Sequence, residues 1–188
     1  FDWLIENEKA EIVALCDLDQ KNIDYAINHL VEKQKETPKT FANGENDWKN
    51  LVKLEEVDML LIATPWEWHT PMALFGMENG KHVASEVPIA YTMEDCVKLV
   101  QTTERTKKHC IMIENCCYNR EELWIMNMIQ EGVFGELTHA ECAYNHDLRA
   151  LLLHETYYKN QWRMKHHTER SGNLYTTHGI GPVSFYMD

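Results

Sequence analysis

Four short apolar runs alternate with helical patterns, and that alternation admits few folds. The runs are Glu11–Cys16 (EIVALC), Val57–Ala63 (VDMLLIA), Lys81–Glu86 (KHVASE) and His109–Glu114 (HCIMIE). Between the first two, Ile23, Ala26, Ile27, Leu30 and Val31 recur at helical spacing, Phe41 sits in a short extended piece, and Trp48, Leu51, Val52 and Leu54 suggest a small helix. Thr70-Pro71 reads as the start of the next helix, with Thr as cap and Pro in the first turn, and Asn79-Gly80 as its stop. Thr92 caps another helix, which carries Cys96, Val97, Leu99 and Val100. Strands that are apolar throughout, separated by helices, predict an α/β fold with a parallel sheet covered on both faces.

Beyond residue 118 the texture changes. The spacing predicts a helix over 123–129, a turn between Gly132 and Gly135, and a strand with mixed faces over 137–145 (LTHAECAYN). Residues 146–188 are rich in His, Tyr, Trp and Arg with weak periodicity, as expected of a second, ligand-facing domain.

Bulk composition excludes several function classes. The 18 basic and 30 acidic side chains give a formal charge of −12, with the acids dispersed. Nucleic acid is therefore not an expected partner, because phosphate contacts need clustered Lys and Arg. No apolar stretch approaches the ~20 residues of a membrane-spanning helix. Cys16, Cys96, Cys110, Cys116, Cys117 and Cys142 form no CxxC pair, so the expectation is small core residues rather than a zinc site or a disulfide framework. The opening Phe1-Asp2-Trp3-Leu4-Ile5 reads as a helix already under way, and SFYMD at the other end carries no stop signal. A fragment at both ends is expected, and the compartment, cytoplasmic or exported, cannot be read from targeting sequences.

In an open α/β sheet, ligands bind at the carboxyl ends of the strands. Asp17, Thr64–Pro71 (TPWEWHTP), Glu86 and Asn115 each follow an apolar run and so gather at that edge. An acid after such a strand hydrogen-bonds the adenosine ribose of a dinucleotide, although a turn or cap Asp reads the same way. The WEWH segment reads as an irregular functional loop, or as aromatic packing against a neighbouring domain. Farther on, Tyr144, Asn145, His146, Asp147 and Arg149 cluster, followed by Gln161-Trp162-Arg163 and by Gly172–Gly179 (GNLYTTHG). Such a mixture of polar and flat aromatic groups suits carbohydrate. Metal binding through His166, His167 and His178 competes with that reading, but no HxxxH or HExxH spacing occurs and no metal is expected. There is also no GxSxG elbow for a Ser-His-Asp hydrolase.

These residues resemble the Gfo/Idh/MocA oxidoreductases, which pair a Rossmann domain with an α/β substrate domain. In ordinary dehydrogenases of that superfamily one strand ends Glu-Lys-Pro, and the Lys assists hydride chemistry. Here it ends Glu86-Val87-Pro88, and valine supplies neither charge nor proton. The words PWEWH, SEVPIA, ENCCYNR, GVFGELTHAEC, Y-x-HDLR, QWR and GNLY-TTHG-x-GP are similar, in order, to glycoside hydrolase family 109, the NAD-dependent α-N-acetylgalactosaminidases.

The resemblance implies a partial NAD-binding Rossmann domain over 1–118, missing its first strand, and the start of the substrate domain over 119–188. It implies hydrolysis of terminal α-N-acetylgalactosamine by transient NAD-mediated oxidation at C3, elimination and water addition, without net redox. By the same analogy Asp17, Trp66, Glu67, Trp68, His69, Glu86, Val87 and Asn115 hold NAD. Tyr144, Arg163, Tyr175, Thr176, Thr177 and His178 contact the sugar. His178 and Tyr175 are the proton-transfer candidates, with Tyr118 a weaker base. Thr176 stands where the family usually has Pro. The implied partner is a glycan bearing terminal N-acetylgalactosamine, with a homo-oligomer allowed. The rival readings are an NAD-dependent sugar dehydrogenase and an inactive truncated remnant.

Overall fold

A computed structural model describes residues 2–7, 9–34, 36–155 and 157–187, with the backbone alone for Trp3 and Lys159. The expected first helix is α1 (Asp2–Glu6); Phe1 lies outside the described residues. The chain then forms β1 (Ala14–Cys16), α2 (Gln20–Leu30), β2 (Lys39–Phe41), α3 (Trp48–Val52), β3 (Met59–Ile62), α4 (Trp66–Glu78), β4 (His82–Ser85), α5 (Met93–Thr106) and β5 (Cys110–Met112). A 3-10 turn (Asn115–Tyr118), α6 (Arg120–Gln130), α7 (Arg149–Leu152), a second 3-10 turn (Lys159–Gln161), α8 (Trp162–Glu169) and α9 (Thr177–Met187) follow.

Two compact units are present: Phe1–Leu61, Pro71–Ala84 and Val97–Cys110 in one, Ile62–Thr70, Ser85–Cys96 and Ile111–Asp188 in the other. In the first, β1 and β2 pair in parallel, Ala14 opposite Lys39 and Cys16 opposite Phe41. Asp19 caps α2 by accepting from the Lys21 N–H, and the helix buries Ile23 and Leu30. The order β3-β4-β5 forms the other sheet. Its bonds keep a constant offset, His82 N–H to Asp58 C=O and Glu86 N–H to Ile62 C=O, as a parallel ladder requires.

Gly76 sets how close α4 lies to that sheet. A Cβ there would stand 2.5 Å from Leu60 Cδ1 and 3.2 Å from Val83 Cγ2. With the glycine in place, Leu60, Met77 and Val83 are all buried, each contributing about 1.5–3 kcal/mol of apolar transfer.

Five expectations need correction. Not every strand is covered on both faces: β4 is, but β3 buries Leu60 and Ile62 and leaves Met59 and Leu61 exposed, and Ile111 of β5 is exposed too. The WEWH segment is not a loop, and Thr70-Pro71 does not start the helix. Residues 66–69 are the first turn of α4, with Pro71 inside it. The backbone bond lost at Pro71 is offset by side-chain anchors: Thr70 Oγ1 donates to Ile89 C=O at 2.8 Å, and His69 lies between two carbonyls. Residues 137–145 form no strand among the described residues, because no neighbouring strand pairs with them. Finally, only Cys117 of the six thiols is buried. Cys16, Cys96 and Cys142 are exposed, Cys142 in that same unpaired stretch.

Candidate functional site

The site is built within the second unit, where β5 gives way to the 3-10 turn. Glu114 ends the apolar run and caps this turn, its Oε1 accepting from the Cys116 N–H at 2.9 Å. The same oxygen lies 2.5 Å from His178 Nδ1, at the start of α9. The pair is deeply enclosed, with side-chain exposures of 3% for Glu114 and 7% for His178. A carboxylate only accepts, so Nδ1 carries a proton. In the neutral ring Nε2 is then an acceptor, and it faces the Tyr175 hydroxyl at 3.0 Å. A chain of three groups results: carboxylate, imidazole, phenol.

Gly181 brings α9 into place. A Cβ there would meet Cys117 Sγ at 2.7 Å and Glu114 Cγ at 3.0 Å. The helix can reach the turn only because that position is bare.

Around this chain stands an aromatic cluster. Trp66, 3% exposed, stacks on Tyr175 with centroids 5.8 Å apart and planes 12° apart, and meets Trp162 edge-on at 5.4 Å. Tyr144 lies 4.6 Å from the His178 ring. The Arg163 guanidinium sits over Tyr175 at 4.7 Å and over Trp66 at 5.0 Å, and donates to Tyr158 Oη at 2.8 Å. Burial raises the Tyr175 pKa; Arg163 opposes this, and Glu114, Glu86 and Tyr144 reinforce it. The phenol is therefore neutral at pH 7.

At the end of β4, Glu86 is exposed and its Oε2 accepts from the Val87 N–H at 3.3 Å. Val87 is 5% exposed and precedes Pro88 through a cis peptide. His69 has both ring nitrogens against carbonyls, Thr64 at 2.7 Å and Pro88 at 2.8 Å, and so ties the start of α4 to the strand end. Glu67 lies 3.7 Å from His166. Trp68 is half-buried, and Asn115 opens the 3-10 turn exposed. Thr177 Oγ1 is buried without a partner among the described residues, as is Glu114 Oε2; Thr176 is half-buried.

The structure thus brings Trp66, Tyr144, Arg163, Tyr175 and His178 together. Tyr118 lies outside that group, exposed and edge-on to Phe185. Asp17 belongs to the first unit, half-buried after β1, its Oδ1 accepting from the Asp19 N–H at 2.7 Å. The sequence reading gives Glu114 no role, and names Trp162 only within the polar-aromatic cluster and His166 only as a competing metal ligand. The acid closing an otherwise apolar strand was the available signal for the first.

Glu114, Cys116 and His178 also place a carboxylate, a thiol and an imidazole within 4.8 Å of one another. The carboxylate and the Nδ1–H already satisfy each other directly, as a hydrogen-bonded pair rather than as two free ligands.

Two family models match the chain. One, an oxidoreductase family with the NAD-binding Rossmann fold, covers residues 2–114; the other, the C-terminal domain of glycosyl hydrolase 109, covers 118–188. The chain belongs to glycosyl hydrolase family 109. A family 109 protein of Shewanella sp. (strain ANA-3) is 46% identical over 181 residues, 96% of this chain and 39% of that one. An alpha-N-acetylgalactosaminidase of Shewanella oneidensis is 45% identical over the same shares. This family 109 chain therefore spans about two fifths of the length of the curated relatives it matches.

Solved structures agree on the fold. An NAD-binding oxidoreductase from Klebsiella pneumoniae superimposes with a TM-score of 0.76 at 21% identity, over 99% of this chain and 47% of that one. The WlbA dehydrogenase of Chromobacterium violaceum, in complex with NADH and UDP-GlcNAcA, gives 0.60 at 22% identity over 72% and 36%. At such identities the likeness shows the Rossmann-type fold alone.

The residues of this family 109 chain fit NAD. An acid closes β1, as a ribose-binding strand end requires. The buried Glu114 Oε2 and Thr177 Oγ1, unpartnered among the described residues, are orphans that a polar ligand, cofactor or sugar, would satisfy.

Proposed function

We propose that this chain carries the catalytic centre of an NAD-dependent glycosidase that removes terminal α-N-acetylgalactosamine. The observation that carries the reading is the Glu114–His178–Tyr175 chain. NAD, when bound, supplies a reversible hydride acceptor. The protein's own groups then have to move a proton on the sugar. Tyr175 holds its proton toward His178 Nε2, which is free to accept it. Glu114 faces the opposite nitrogen and offsets the imidazolium charge that forms. Burial of Glu114 and His178 strengthens the electrostatics between them.

Tyr144, Arg163, Thr176 and Thr177 bind the sugar hydroxyls and acetamide. Asp17, in the first unit, is the candidate for the adenosine ribose; Trp66, Glu67, Trp68, Glu86, Val87 and Asn115 are the cofactor candidates of the second unit. His69 has a backbone carbonyl against each ring nitrogen, so its N–H donates to one of them in either tautomer, and it acts by positioning the start of α4. The division at residues 1–118 and 119–188 into nucleotide-binding and substrate-domain portions belongs to the same reading. Its support is that one family match ends at residue 114 and the other begins at 118. Full-length protein incubated with NAD and p-nitrophenyl α-N-acetylgalactosaminide is expected to release nitrophenol while free NADH stays flat. NADH rising in step with sugar consumed would indicate a dehydrogenase instead.

A further inference from the structure

The protein carries a charge of −12, yet the cleft beside the phenol is basic. It has a volume of about 310 Å³ and is lined by Tyr144, His146, Arg163, His167, Arg170 and Asn173 among others, with no carboxylate among the described residues of its lining. Both guanidinium groups hold a buried nitrogen without a partner among the described residues: Nε of Arg163 and Nη1 of Arg170. Among the described residues neither is paired with an acid: Arg163 is held over Tyr175 and by its bond to Tyr158 Oη, and Arg170 over Tyr91 at 4.7 Å. A buried, unpaired guanidinium N–H costs free energy unless a ligand satisfies it. A sugar hydroxyl can accept from part of this donor set, but a sulfate or carboxylate oxygen satisfies a guanidinium more strongly.

We propose that this cleft is an anion subsite, and that the preferred substrate is an N-acetylgalactosaminide bearing an acidic group, sulfate or carboxylate, which Arg163 and Arg170 receive. The proposal rests on the glycosidase reading for the sugar but not for the anion. The shared chemistry could also come from the cofactor's phosphates, so the test is made with NAD saturating. N-acetylgalactosamine and its 6-sulfate are titrated into NAD-loaded full-length protein, followed by Trp fluorescence, and p-nitrophenyl α-N-acetylgalactosaminide hydrolysis is read in parallel. The sulfated sugar is expected to bind about tenfold or more tightly, as charge-assisted pairing to guanidinium requires. Arg170→Gln should collapse that ratio, whereas Arg170→Lys, which keeps the charge, should retain part of it. Thermal unfolding of both variants guards against misfolding.

Equal affinities, a ratio unchanged in Arg170→Gln, or a preference that appears only without NAD would overturn the proposal. Equal affinities with hydrolysis intact sink the anion subsite alone. Sulfate preference without hydrolysis sinks the glycosidase reading and leaves the subsite standing.

Discussion

Replacing Glu114 by Gln isolates the charge that supports His178. The two side chains are nearly isosteric, and the amide oxygen can still accept the Nδ1–H, so the geometry of the 2.5 Å contact is broadly kept. What is lost is the difference between a charge-assisted and a neutral hydrogen bond, about 1–2 kcal/mol. That difference matters most when the ring is protonated, which is the state formed during proton transfer. At 1.36 kcal/mol per factor of ten, kcat should fall by about 5- to 30-fold. Folding stability should change little, because removing a desolvated charge recovers part of its burial cost. The assay is kcat and KM on p-nitrophenyl α-N-acetylgalactosaminide for full-length wild type and Glu114→Gln, with thermal unfolding of each. A wild-type kcat in a properly folded Glu114→Gln enzyme would refute the role of the carboxylate. So would an effect confined to KM.

Other consequences are equally specific. Gly181→Ala places a Cβ 2.7 Å from Cys117 Sγ, so overpacking of about 1–3 kcal/mol outweighs the helix-propensity gain of roughly 1 kcal/mol, and both Tm and activity should drop; a raised Tm would contradict the packing described. Burial raises the Tyr175 pKa, so its contribution to stability is complete below the ordinary phenol value and is lost as pH rises through the higher folded value. Wild type should thus lose stability relative to Tyr175→Phe in that alkaline window, and parallel pH–stability curves there would count against the burial. Asp17→Ala should weaken NAD and narrow the preference over NADP, measured by cofactor titration of the full-length protein; an unchanged preference removes Asp17 from the ribose.

The α/β rhythm is legible in the sequence because buried strands and helices have different periods, and each signal is local. Residues 66–69 are misread because a rule for proline at helix starts is also local, whereas the anchors that extend α4 come from Pro88 and Ile89, about twenty positions away. The uncovered face of β3 escapes notice for a related reason: Met59 and Leu61 are as apolar as their buried neighbours, and apolar content alone does not say what covers a strand. In the site, Tyr175, His178 and Arg163 stand out as dense polar and aromatic groups in the stretch after residue 146. Glu114 hides at the end of a strand, with a partner 64 positions away that no spacing rule connects to it.

In the proposed mechanism Tyr175 and His178 move a proton at the sugar ring, and the hydride returns to the same sugar. Hydrolysis of p-nitrophenyl α-N-acetylgalactosaminide by the full-length protein in heavy water reads this directly. Deuterium should appear at C2 of the released N-acetylgalactosamine, and exchange should slow together with turnover in His178→Asn. Product formed without deuterium at C2 would contradict it.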